Sequence, residues 1–189
     1  MRPLLNLWVV TSVCLVAAFA TSCGRVVRTG TAPVLLVIDQ LGPQGSTTGA
    51  PLQSSVTGTA STDLGSVTLR LVLKDLGTDG AGLLSPSNAV TIRRYRVAYR
   101  RTDGRSVQGV DVPYTFDGVV TGTIPVNGSA TLSFELVRAL AKTEPPLSQF
   151  AASRALLTAF ADITFWGEDL VGNTLSATGA VQIVFGSWQ

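Results

Sequence analysis

Arg94, Arg96 and Arg100, with Arg101 and Arg105 close by, form the main basic concentration of the chain. At strand spacing the first three project from one face. A guanidinium row grips phosphate or carboxylate through forked hydrogen bonds, so an anionic lipid headgroup or a surface polysaccharide would suit it. The same row also serves as a solvated outer face that discourages edge-to-edge aggregation. Asp162, Glu168, Asp169 and Asn173 form a second, oxygen-rich group of the kind that holds calcium. The spacing of a helix-loop-helix calcium site is absent, and Gly172-Asn173 suits a plain soluble turn. Trp166 is the third candidate. A regular strand points it away from the face of Ile163 and Phe165, where it would stack on a sugar or anchor a partner. Packing under the segment 141–154 is the competing reading. Trp188 reads either as a packing plug or as an exposed tail residue.

Much chemistry is excluded. The chain has no histidine, which removes Ser-His-Asp and Cys-His catalysis in their usual forms and histidine zinc sites. Two cysteines are too few for a thiolate zinc site. Neither lysine, Lys74 or Lys142, follows a serine at S-x-x-K spacing, and no phosphate-binding glycine loop occurs. A carboxylate pair for glycoside hydrolysis stays open, but the spacing of Glu135, Glu144 and Glu168 identifies none. The sequence therefore reads as non-catalytic.

The elements that must position these residues are strands. Charged residues make up only 14% of the chain, and threonine, valine, serine and glycine are plentiful, a composition suited to sheets. TAPVLLVIDQL, 31–41, reads as a strand buried on both faces or as the first strand of a sandwich. In GSVTLRLVLKD, Val67, Leu69, Leu71 and Leu73 alternate with Thr68, Arg70, Val72 and Lys74, the pattern of a half-buried antiparallel strand. In the arginine stretch Tyr95, Val97 and Tyr99 take the inner face. Asp103-Gly104 and Asn127-Gly128 are hairpin turn signals; the latter matches a glycosylation sequon and reads only as a turn. Further strands are expected within 111–126, in SATLSFELV, in LLTAFADITFWGED and in TLSATGAVQIVF. AKTEPPLSQFAASR, 141–154, reads as a crossover loop with one helical turn. The whole predicts an all-β antiparallel β-sandwich of about seven to nine strands. The long loops 75–88 and 139–154 are expected to form its contact surface.

The N-terminus carries an address. Arg2 precedes an apolar stretch from Leu4 to Ala20, the layout of a secretory signal peptide. Ala18-Phe19-Ala20 would release a soluble protein starting at Thr21. Ala20-Thr21-Ser22-Cys23 resembles a bacterial lipobox, in which cleavage falls before the cysteine and its sulfur carries a diacylglycerol. Gly24 resembles the outer-membrane version of that pattern. An uncleaved anchor ranks third. Cys14 lies in the signal, so Cys23 has no partner for a disulfide. Residues 1–22 are thus expected to be the signal, 23–31 a flexible tether and 32–189 the folded domain. With Arg2 gone, basic and acidic side chains nearly balance, which gives no footing for nucleic acid.

YRVAYRRTDGR resembles the third strand and following hairpin of fibronectin type III and related immunoglobulin-like domains. DITFWGEDLVGNTLSATGAVQIVF is similar to the last two strands of bacterial immunoglobulin-like modules, with their D-x-x-G-N turn. The combination GVDVPYTFDG, FELVRALAKTEPPL and ITFWGEDLVGN resembles a set of uncharacterised bacterial lipoproteins. The resemblance implies an immunoglobulin-like sandwich and an envelope location; the residues themselves suggest a membrane, reached through the lipid, and an unknown envelope protein or surface glycan as partners. The resemblance implies no activity, and the residues suggest no cofactor beyond the lipid on Cys23.

Overall fold

The computed structural model describes residues 32–46, 49–74, 85–153 and 155–187. The expectations for Cys23, the signal, the tether, residues 75–84 of the first long loop and Trp188 lie outside them.

Eight strands form two facing sheets. They are β1 (Val34–Pro43), β2 (Leu52–Ser55), β3 (Asp63–Leu73), β4 (Val90–Arg101), β5 (Phe116–Ile124), β6 (Ser129–Val137), β7 (Leu157–Asp169) and β8 (Thr174–Gly186). One sheet has the order β1-β3-β6, the other β2-β8-β7-β4-β5. The chain crosses between sheets from β1 to β2, β2 to β3, β3 to β4, β5 to β6 and β6 to β7. That is the weave of an immunoglobulin-like β-sandwich.

Alternation accounts for the interior. Val67 and Leu69 face inward from β3, Tyr95, Val97 and Tyr99 from β4, and Ile163 and Phe165 from β7. Phe134 packs across the gap against Tyr95 and Phe165, edge to face, and those two are tilted to each other, with centroids 5.2–6.1 Å apart. Gly118 lies directly opposite Tyr95, and a Cβ there would collide with the tyrosine ring. Two tyrosine hydroxyls join the sheets. Tyr99 donates to the Leu136 carbonyl at 2.7 Å, and the Glu135 amide donates to Tyr95 at 3.1 Å. Burial pushes both phenols above their ordinary pKa.

One open alternative is decided, and three details differ from the sequence reading. Leu35 is 48% exposed, so β1 is buried on one face, as the first strand of a sandwich. β2 runs parallel to β8, not antiparallel. The cause is directional: β1 and β2 run the same way, and the chain changes sheets between Pro43 and Leu52 without reversing. Asp103-Gly104 does turn, with Gly104 at φ 88°, but the return strand begins only at Phe116. The crossover holds two short helices, α1 (Ala139–Thr143) and α2 (Leu147–Ser153). It is docked rather than open. Leu147 is buried, and the Lys142 side chain, 2% exposed, reaches Asp63 at 3.0 Å. Ser54 donates to the other oxygen of Asp63 at 2.6 Å.

Candidate functional site on the outer face of the five-stranded sheet

Strand β4 lies between β7 and β5, so its outward side chains meet neighbours on both sides. Arg94, Arg96 and Arg100 all point outward, opposite Tyr95, Val97 and Tyr99. A bulge between Ile92 and Arg94 turns Arg93 outward as well. Register then sets each arginine's partner. Arg96 sits opposite Asp117 on β5 and donates to both of its oxygens, at 2.8 and 2.9 Å. Those hydrogen bonds hold the Asp117 carboxyl below, and the Arg96 guanidinium above, their ordinary values. Arg100 donates to Asp162 on β7 at 2.8 Å and lies over the Phe160 ring. Arg93 meets Glu168 at 3.5 Å.

Arg94 is different. It faces Trp166 on β7 and Val119 on β5. Its guanidinium lies 4.2 Å from the indole centroid, and it has no carboxylate partner among the described residues. Stacking occupies the guanidinium's flat face and leaves its N–H edge available. Beside this pair is an open depression of about 380 Å³ lined by Arg93, Arg94, Trp166, Glu168, Thr174 and Ser176. Its chemistry is that of a polar-ligand site: one unpaired guanidinium edge, one indole, one carboxylate and two hydroxyls.

Trp166 thus belongs to the outer face, half-buried under Arg94 rather than under the crossover. One side of the indole is covered, so it does not offer the bare platform that the sequence suggested. Arg94 joins Trp166, whereas Arg96 and Arg100 are drawn to carboxylates. Three residues escaped the sequence reading. Ser176 and Thr174 were recoverable from the turn at 169–173, which sets Ser176 opposite Trp166. Arg93 was not, because a bulge has no local signature there.

The four oxygen-bearing residues do not form one cage. Asp162 is held by Arg100 and Glu168 by Arg93. Asp169 turns inward and is buried. It accepts from the amides of Val171 at 3.0 Å and Asn173 at 2.8 Å, and from the Asn173 side chain at 2.7 Å. Its carboxylate builds the turn. Among the described residues no three acidic, cysteine or histidine side chains converge as metal ligands do.

No family model and no curated protein matches the chain. Among solved structures it is similar to the X-ray structure of Northeast Structural Genomics Consortium target SoR45. The match has 11% identity and a TM-score of 0.36, and covers 79% of this chain and 84% of that one. At that distance the likeness does not inform the site.

Proposed function

We propose that this protein is a non-catalytic, lipid-anchored module of the bacterial cell envelope, and that its outer sheet face binds an anionic glycan at the Arg94–Trp166 depression. The single observation that carries the binding role is the unequal treatment of the arginine row. Arg93, Arg96 and Arg100 each meet a carboxylate, while Arg94 keeps its hydrogen-bonding edge free beside a lined depression. Sugars are read by such a set: hydroxyls of Thr174 and Ser176, the Glu168 carboxylate for ligand hydroxyls, and a guanidinium fork for a ligand carboxylate or phosphate.

The same pairing argues against a glycoside hydrolase. A general acid needs a carboxyl whose pKa is raised. On this face Asp117 is pushed down by Arg96. The anchoring role rests on the residues Ala20-Thr21-Ser22-Cys23 after an apolar run. Gly24 supports the outer membrane as its address.

Binding is tested with a uronic-acid polysaccharide, alginate, against neutral dextran, using the detergent-extracted mature protein. Retention on alginate, at least tenfold weaker in Arg94→Ala and Trp166→Ala, is the expected result. Equal retention by all three proteins, or none by any, refutes the site. Mass spectrometry of the mature N-terminal peptide tests the anchor. A diacylglycerol-modified peptide beginning at Cys23 is expected, and a free terminus at Thr21 refutes it.

A second reading, a structural subunit of an envelope complex, is favoured by one feature. Val107, Val110 and Tyr114 in the β4–β5 connection, with Leu140 and Leu156, are exposed. Stoichiometric co-purification of one envelope protein, lost in a Val110→Asp variant, would support it.

A further inference from the structure

Strand direction determines which end of the sandwich carries the N-terminus. β1 enters at Val34, opposite Leu73. In the other sheet Val90 lies opposite both Asp169 and Ile124, and Glu168 lies opposite Thr174. The short turn from Pro125 to Gly128 ties Ile124 to the start of β6, so both sheets share this end. Residue 32, the β7–β8 turn and the β5–β6 turn are therefore together. The β4–β5 connection and both helices are at the far end. This inference rests on the lipid-anchor reading: Cys23 precedes Ala32 by nine positions, which span at most about 30 Å when extended. The N-terminal end is then the one held near the bilayer. Strand β7, with 13 residues, measures about 43 Å, so an upright domain carries its far end well away.

The β7–β8 turn has an unusual surface for a position in water. Leu170 is 69% exposed and Val171 62%, side by side at the tip, where turns ordinarily show polar side chains. Its backbone is closed on itself. The Leu170 amide donates to the Ser87 carbonyl at 3.2 Å and the Gly172 amide to the Asp169 carbonyl at 3.1 Å. The amides of Val171 and Asn173 donate to the Asp169 carboxylate. All four N–H groups from 170 to 173 thus have partners within the protein, which lowers the cost of taking the tip out of water. Gly172, at φ 89°, supplies the left-handed residue that the closure needs.

Behind the tip stand side chains suited to an interface. Trp166 precedes Asp169 by three residues, about 10 Å along the strand, with Arg94 opposite it and Arg93 next to Arg94. A headgroup layer is about 5–7 Å thick on each side of the hydrocarbon. Tryptophan concentrates at that level, and arginine pairs there with phosphate.

We infer that the Leu170–Val171 tip dips into the bilayer interface as a second contact beside the lipid on Cys23. It stands the sandwich on its N-terminal end and sets the Arg94–Trp166 depression at the outer edge of the headgroup layer. The lipid supplies retention; the tip supplies orientation.

The lipidated chain makes the test direct, because Cys23 is its only cysteine after signal removal and its sulfur is blocked. Val171→Cys therefore introduces the single free thiol, and Val110→Cys a control at the far end. Each is labelled with an environment-sensitive fluorophore and reconstituted in vesicles of phosphatidylethanolamine and phosphatidylglycerol. The expected result is blue-shifted emission at 171, quenched at least twofold by spin-labelled lipid, with aqueous emission at 110. Aqueous emission at 171, or equal quenching at both sites, overturns the inference. In Trp188→Phe the remaining tryptophan is Trp166, and its quenching by brominated lipid is expected; no quenching overturns the headgroup placement. The N-terminal peptide mass from the same sample separates the premises. An unmodified Cys23 defeats the anchor, whereas a lipidated Cys23 with an aqueous tip defeats this inference alone.

Discussion

The two ends of the sandwich are closed by opposite means. At the far end Lys142 is buried against Asp63, which also accepts from Ser54. The three residues come from α1, β3 and β2, and Lys142 lies 79 positions from Asp63. At the N-terminal end one residue, Asp169, closes a turn only five residues long through its own carboxylate. Closure at long range consumes polar groups and commits the helices to the core. Local closure needs nothing from the rest of the chain beyond the Ser87 carbonyl, so it leaves Leu170 and Val171 free to face outward. The end with the cheapest architecture is the one with surface to spare for contact.

The contrast can be broken from its stronger side. Lys142→Ala leaves the half-buried Asp63 carboxylate beside an empty space and should cost about 2 kcal/mol, read as a lower urea midpoint. Lys142→Met with Asp63→Asn should recover at least half of that loss, because the stranded charge goes with its partner. If the single variant unfolds at the wild-type urea midpoint, the far end is not stapled as described. Asp169→Ala comes next, at about 2 kcal/mol, since two amides and a side-chain amide lose their acceptor. Hydrogen exchange should show faster exchange at Val171 and Asn173 while the far end is unchanged. Leu170→Ser with Val171→Ser should shift stability by less than about 0.5 kcal/mol in detergent solution, as exposed positions do. A larger loss would mean that the tip packs against protein.

The smallest effect concerns acid. Asp117 and Asp103 are held below their ordinary pKa, chiefly by hydrogen bonds from Arg96 and Arg105. A depressed folded-state value means that the contribution is complete above the ordinary aspartate range, about 3.9, and is lost as pH falls through the folded value. Asp117→Asn should therefore lower the urea midpoint slightly at neutral pH and not at all in strong acid. A gap between the two proteins that persists undiminished below pH 2 would contradict the pairing.

The legible parts of this molecule are those with a short-range cause. The inward set of β3, the outward arginines of β4 and the inner aromatic face of β4 followed from side-chain alternation. The turn Asp169-Leu170-Val171-Gly172-Asn173 followed from glycine and asparagine chemistry. What the pattern missed had causes further away. The segment 51–55 carries too few residues to show alternation, and its pairing comes from β8. The bulge at Arg93 changes the phase of one strand without a glycine to mark it. Trp166 was readable as outward, but not as covered, because the cover comes from a residue 72 positions earlier.

Taken alone, then, the sequence determined a chain of half-buried strands, the side on which each presents its charges, and the turn that joins the last two. Those follow from a period of two and from local backbone preferences, which act within a few residues. Only the tertiary structure decided that Arg94 is the arginine left with an indole instead of a carboxylate, that Lys142 is buried, and that residue 32 shares an end with Leu170 and Val171. Each of these depends on register and on the change of sheet between strands distant in sequence, and the packing of two layers sets both.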